Sequence, residues 1–155
     1  MAGKTIRIFL ADAEPTGILF PEISDWTGKV LVAPYSQLHQ LSKRDEVRRT
    51  GVYLLVGPDP DDASRALACI GEGDNVLRRL LGHNKNEAKD FSERTVVMVS
   101  KDENLTKSHV RYLECRLFNL AQEARRARLT NDTVSRSARL RSLDRTSLFA
   151  QEAAA

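Results

Sequence analysis

Apolar and polar positions alternate with the period of a β-strand in the opening run TIRIFL, residues 5–10. A turn signal follows at Glu14-Pro15-Thr16-Gly17, and residues 18–23 read as a second strand that Pro21 weakens. The run KVLVA, after Trp26-Thr27-Gly28, reads as a third strand stopped by Pro34. From Ser36 to Arg49 the pattern changes to a helix, with Leu38 and Leu41 on its apolar stripe. The first third of the chain is therefore a β-rich leader ending in a helix.

Three apolar runs come next. VYLLV (52–56) and ALACI (66–70) predict the two strands of a hairpin around the acidic loop GPDPDDASR, and TVVMV (95–99) predicts a further strand. Gly71-Glu72-Gly73 closes the hairpin. Asp74 is a suitable N-cap for a helix from Asn75 to about Gly82, whose apolar face carries Val76, Leu77, Leu80 and Leu81. Asn104 is placed to cap a long helix reaching about Arg128, with Leu113, Leu117, Leu120 and Ala124 as its buried stripe. Beyond Leu129 the chain is rich in Ser, Arg and Ala without a strong period, the pattern of a solvated tail.

Composition adds limits. The 155 residues suffice for one compact domain with a small appendage, and 41% are apolar, enough for a core. The net charge of +3 says little about partners, but Arg exceeds acid between Arg125 and Arg145, which is either a solvated tail or a phosphate-contacting one. Cys69 and Cys115 lack zinc-site spacing and do not form a disulfide framework, so a reduced, cytoplasmic setting is the simpler reading. No run approaches membrane-spanning length, and the opening segment lacks secretory character.

Candidate chemistry lies on three elements. Arg79 and His83 are four apart on the helix after Asp74 and share a flank of its apolar face. They are either a surface pair or a phosphodiester site, with the guanidinium forked onto phosphate oxygens and the imidazole relaying a proton. Glu114 falls beside Val110, Leu117 and Ala121 on the long helix. A carboxylate leaning toward apolar neighbours needs a partner, either Arg111 or a divalent cation. Tyr53 is a large strand residue, or a base if a metal or Arg nearby lowers its pKa near 10.

The order of these parts is informative: Gly51-Val52-Tyr53 on one strand, Cys69-Ile70-Gly71 on the next, Arg79 and His83 on the following helix, then Glu114 on a later one. Over residues 49–131 this order resembles the GIY-YIG nuclease family, and the leader resembles that of a bacterial subgroup. The resemblance implies an α+β fold, a small antiparallel three-stranded sheet flanked by helices. It divides the chain into a leader (1–48), a nuclease-like domain (49–131) and a tail (132–155). It also implies hydrolysis of DNA phosphodiester bonds with one divalent ion, Mg²⁺ or Mn²⁺. Tyr53 would match the base-assisting tyrosine, Arg79 the phosphate-stabilising arginine, His83 the histidine one turn on, and Glu114 the metal carboxylate. Gly71 would match the glycine that lets backbone pass close to the site, and Asn131 a late polar residue.

Three departures stand out: Val52 for isoleucine, a longer connection between the motifs whose acids would repel DNA, and Cys69 where the family has tyrosine. Cysteine is smaller and hydrogen-bonds weakly. Two functions therefore follow: an endonuclease attenuated at Cys69, or a non-catalytic nucleic-acid-binding module that keeps the fold. A third reading makes the leader a protein-interaction surface.

Overall fold

The computed structural model describes residues 3–83 and 91–130. Their α+β fold contains seven strands in one mixed sheet: β1 (Ile6–Leu10), β2 (Leu19–Ile23), β3 (Gly28–Pro34), β4 (Gly51–Asp59), β5 (Asp62–Gly73), β6 (Arg94–Ser100) and β7 (Ala127–Leu129). The spatial order is β1-β2-β3-β6-β4-β5-β7, antiparallel throughout except where β7 lies parallel to β5. Helices α1 (Leu38–Leu41), α2 (Val76–His83) and α3 (Lys107–Ala124) complete the fold.

The expected three-stranded antiparallel unit is present as β6-β4-β5, but it is the centre of a larger sheet. β3 pairs with β6 along its whole length, from Gly28↔Ser100 to Pro34↔Arg94, so the leader continues the sheet. Pro21 is tolerated because it faces Ile8, a position whose backbone groups point away from β1. The missing N–H falls toward β3, where β2 pairs only at Leu19↔Val32.

Strand alternation sends neighbouring residues to opposite faces. Tyr53, Leu55, Cys69, Val97 and Val99 form one core with α1 and α2, while Val52 and Ile70 form a second with Val110 of α3. The helix expected over 36–49 is instead a 3₁₀ turn (Tyr35–Gln37), the four-residue α1, and a second 3₁₀ turn (Asp45–Arg48). Its buried residues Leu38, Leu41 and Val47 do not keep a helical repeat, and Ser42 Oγ donates to His39 O at 2.7 Å where α1 stops.

Caps and stripes also shift. Asn75, not Asp74, caps α2: its Oδ1 accepts from Arg78 N at 3.0 Å. Thr106, not Asn104, caps α3 in a reciprocal box with His109. That helix ends at Ala124 with Arg125 in the left-handed region (φ 53°). Leu81 and Leu120 are exposed, because the sheet covers a narrower arc of each helix than its apolar stripe. The fully buried positions of α3 are Val110 and Glu114, and Leu113 and Leu117 of the expected stripe pack half-buried against the same core.

The acidic segment expected as a long loop is mostly strand. β4 and β5 run on to Asp59 and Asp62, with a bulge at Pro58. Arg128 of β7 holds the tip: its Nε and Nη2 each donate to Asp59 at 2.7 Å, and Nη2 reaches Asp61 at 2.9 Å. Two of the acids expected to repel DNA are thus neutralised within the fold. Arg128 and the adjoining Asp61 N–H hold the Asp59 pKa down at about 2. Because the folded value lies below the ordinary one near 4, the contribution of this pair is complete above that range and is lost as pH falls toward 2. Acidification through this window is expected to release β7, read as faster hydrogen exchange of the Thr130 N–H that donates to Ala68 O at 3.0 Å. Arg128→Met should exchange rapidly at every pH; protection equal to that of the parent would show that the pair does not hold β7.

Candidate active site

The site forms where β5 becomes an edge. β7 pairs with β5 only at residues 66–68, so Cys69 to Gly73 have β4 alone as a ladder partner among the described residues. Helix α2 covers one face of this stretch and α3 the other. Alternation places Gly71 and Gly73 under α2, and Ile70 and Glu72 under α3. With no side chain at Gly71 or Gly73, groups from both helices can approach around the edge.

Gly71 lies directly across from Tyr53. A β-carbon at Gly71 would overlap the Tyr53 hydroxyl and the ring carbons behind it. The phenol fills that space and meets His83 Nε2 at 2.5 Å, with the ring centroids 5.4 Å apart. Gly73 makes the same kind of room for Arg79: an added β-carbon would stand 2.7 Å from Arg79 Cγ. Arg79 also lies close enough to the Tyr53 hydroxyl to favour its ionised form. Tyr53, Gly71, Arg79 and His83 are therefore one unit built from two strands and a helix.

Tyr53 is almost completely buried, at 1% exposure. Burial outweighs the attraction of Arg79 and pushes its pKa up to about 12, with the nearby Cys69 and Glu114 acting in the same direction. The expectation that a neighbouring Arg would make Tyr53 a ready base is thus corrected. At neutral pH it is a phenol hydrogen-bonded to an imidazole.

Glu114 stands on the α3 side. It is 7% exposed, and among the described residues no hydrogen bond or ion pair joins its carboxylate. Burial raises its pKa, the Glu72 carboxylate raises it further, and Arg79, Lys107 and Arg111 oppose the rise. Arg79 thus lies within electrostatic reach of both Glu114 and Tyr53. Arg111, the alternative partner for Glu114, turns to Glu72 at 3.9 Å.

Glu72 is the residue that sequence reasoning passed over. It accepts from Lys107 Nζ at 2.7 Å, and Lys107 lies 3.7 Å from Asp74. The signal was present: Glu72 is two residues from Ile70 on a strand, while Lys107, Arg111 and Glu114 share one helical stripe. A cleft of about 700 Å³ opens here, walled by Glu72, Asp74, Arg78, Arg79, His83 and Lys107. Tyr53 and Glu114 stand behind this wall rather than on it. Cys69 is deeper still, at 4% exposure in the core shared with Tyr53. Asn131 lies outside the described residues.

A divalent cation can be tested against the donors present. Among the described residues no three metal-ligating side chains cluster. However, the Glu72 carboxylate acts on the buried Glu114 and disfavours its charged form. Oxygen donors in this number fit Mg²⁺ or Mn²⁺, which are commonly held by one or two carboxylates with water and phosphate oxygens completing the shell.

No protein-family model matches the chain, and neither a curated protein nor a solved structure matches it.

Proposed function

We propose that the chain is an endonuclease of the GIY-YIG type that hydrolyses DNA phosphodiester bonds at the β5 edge, with its rate lowered by Cys69. The observation that carries this reading is the joint packing of Tyr53 against Gly71, Arg79 and His83. The hydrogen-bonded phenol–imidazole pair ends at a cleft whose wall carries Arg78, Arg79 and Lys107 beside Glu72 and Asp74. Arg79 can fork onto the non-bridging oxygens of a phosphodiester and stabilise the charge that grows there. An attacking water can give its proton to the Tyr53 oxygen while the phenolic proton passes to His83 Nε2, leaving an imidazolium and a neutral phenol. This relay needs no free phenolate, in keeping with a Tyr53 pKa of about 12. Glu114, with Glu72 beside it, would hold the divalent ion, which when bound supplies positive charge to the phosphate. Arg78 and Lys107 add sequence-independent attraction for the DNA backbone at the cleft wall.

The alternative, a non-catalytic nucleic-acid-binding module, is favoured by one observation. The Cys69 thiol belongs to a closed core and does not wall the cleft, so it offers no substitute for a tyrosine hydroxyl. Supercoiled-plasmid nicking in Mg²⁺ or Mn²⁺ separates the two readings. The parent is expected to nick slowly and Cys69→Tyr at least about tenfold faster, a gain of about 1.4 kcal/mol in transition-state stabilisation. Because a larger side chain in a packed core costs roughly 1–3 kcal/mol, rates are compared well below the variant's melting temperature. Salt-sensitive DNA binding without nicking in either protein would establish the binding module instead.

A further inference from the structure

The apolar strand at the opposite end of the sheet has no place in this chemistry. Among the described residues β1 is the terminal strand and pairs with β2 alone. It is nevertheless the most exposed apolar segment described: Ile6 is 64% exposed, Ile8 58% and Phe9 64%. Its central residue Ile8 is apolar and Arg7 is its one charge, and an apolar edge strand of this kind is a template for strand addition.

The backbone says which groups face outward. Ala11 N–H donates to Ile18 O at 2.9 Å and Ser24 N–H donates to Thr5 O at 3.1 Å. Odd positions of β1 therefore turn their backbone groups toward β2, and Ile6, Ile8 and Leu10 present theirs to the open edge. An incoming antiparallel strand must engage those three residues.

We infer that this edge pairs with β1 of a second copy, about a two-fold axis through Ile8, to join two sheets into one. The strand is complementary to itself in this register. Ile8 meets Ile8, and Ile6 meets Leu10, as hydrogen-bonded pairs on the face that also carries Leu19 and Ile23. On the other face Arg7 comes opposite Phe9 in a close, non-hydrogen-bonded pair, a cation–π arrangement repeated by symmetry. Lys4 and Asp12, of opposite charge, flank the strand and approach across the same axis. A register centred on Arg7 would oppose two guanidinium groups, and a centre at Ile6 would leave most of the apolar strand unpaired. Such a contact is isologous and closes at two copies. It is small beside the ~1,200 Å² of a standard interface, so association in the micromolar range is expected.

Sedimentation of the full chain over about a hundredfold concentration range should show a reversible monomer–dimer equilibrium. Ile8→Pro removes an outward N–H that makes no ladder bond to β2, so it should abolish the dimer without lowering the melting temperature measured at dilution. Ile8→Cys in a Cys115→Ser background should give a disulfide-linked dimer on mild oxidation, since facing residues in a hydrogen-bonded pair stand about 5.5 Å apart. A parent that stays monomeric, for instance because the edge receives a different protein, overturns the inference. So does a dimer that survives Ile8→Pro. Four strands separate β1 from β5, so plasmid nicking by Ile8→Pro should equal that of the parent. Failure of dimerisation and failure of cleavage are therefore read separately.

Discussion

Glu114→Gln is expected to abolish metal-dependent nicking while leaving the fold as stable as the parent, or more so. The glutamine keeps the volume and shape of the side chain. It removes a charge that sits 7% exposed within reach of a second carboxylate. In the metal-free protein that charge opposes folding, because burial and Glu72 both disfavour it. Under the proposed function the same charge would hold the cation, and loss of the cation's contribution of several kcal/mol would correspond to a rate lower by at least about a thousandfold. A purely structural glutamate would give the reverse pattern, with stability lost and any cleavage spared. Melting temperature supplies a second readout. Millimolar Mg²⁺ or Mn²⁺ should raise it in the parent by mass action and leave Glu114→Gln unmoved. Equal metal-induced stabilisation of the two proteins would remove Glu114 from the metal site whatever the nicking assay shows.

How much of this arrangement was legible in the sequence depends on whether the cause was local. The strands through Val52–Val56, Ala66–Ile70 and Thr95–Val99 are continuous apolar runs and appear where their patterns predict. Arg79 and His83 were legible as neighbours because helical spacing alone brings them together. The hairpin tip was not legible. Pro58 and the acids around it signal a loop, and it is Arg128, 69 residues from Asp59, that pairs with Asp59 and Asp61 and lets the strands extend. The joining of the leader to the sheet was hidden for the same reason, since the β3–β6 register is a tertiary choice that neither strand encodes alone. Helical wheels placed Leu81 and Leu120 on apolar faces but carried no information on how wide an arc the sheet would cover. The structure also refined the question about Cys69. In sequence it marks a lost hydroxyl at the site; in space it is a core residue, so replacing it tests packing and chemistry together.

Gly71→Ala should be the most damaging single-methyl change at the proposed site. Gly71 faces Tyr53 across the β4–β5 ladder, and a β-carbon there occupies the volume of the Tyr53 hydroxyl and its ring. The obstructing atoms are those of a ring that is 1% exposed and hydrogen-bonded to His83, with no open space to turn into. Either the phenol leaves His83 or the ladder opens; both break the unit formed by Tyr53, Arg79 and His83. The expected cost is roughly 1–3 kcal/mol of stability from overpacking, together with loss of nicking below detection. A double-mutant cycle with Tyr53→Ala identifies the cause. Removing the ring alone leaves a cavity costing about 3–5 kcal/mol. Adding Gly71→Ala to that background should cost almost nothing, because the new methyl enters the vacated space. The two changes should then couple by about 1 kcal/mol or more, in the sense that the double variant is more stable than the sum of the single effects implies. Additive costs would mean that Gly71 is required for its backbone freedom rather than for the room it leaves to Tyr53.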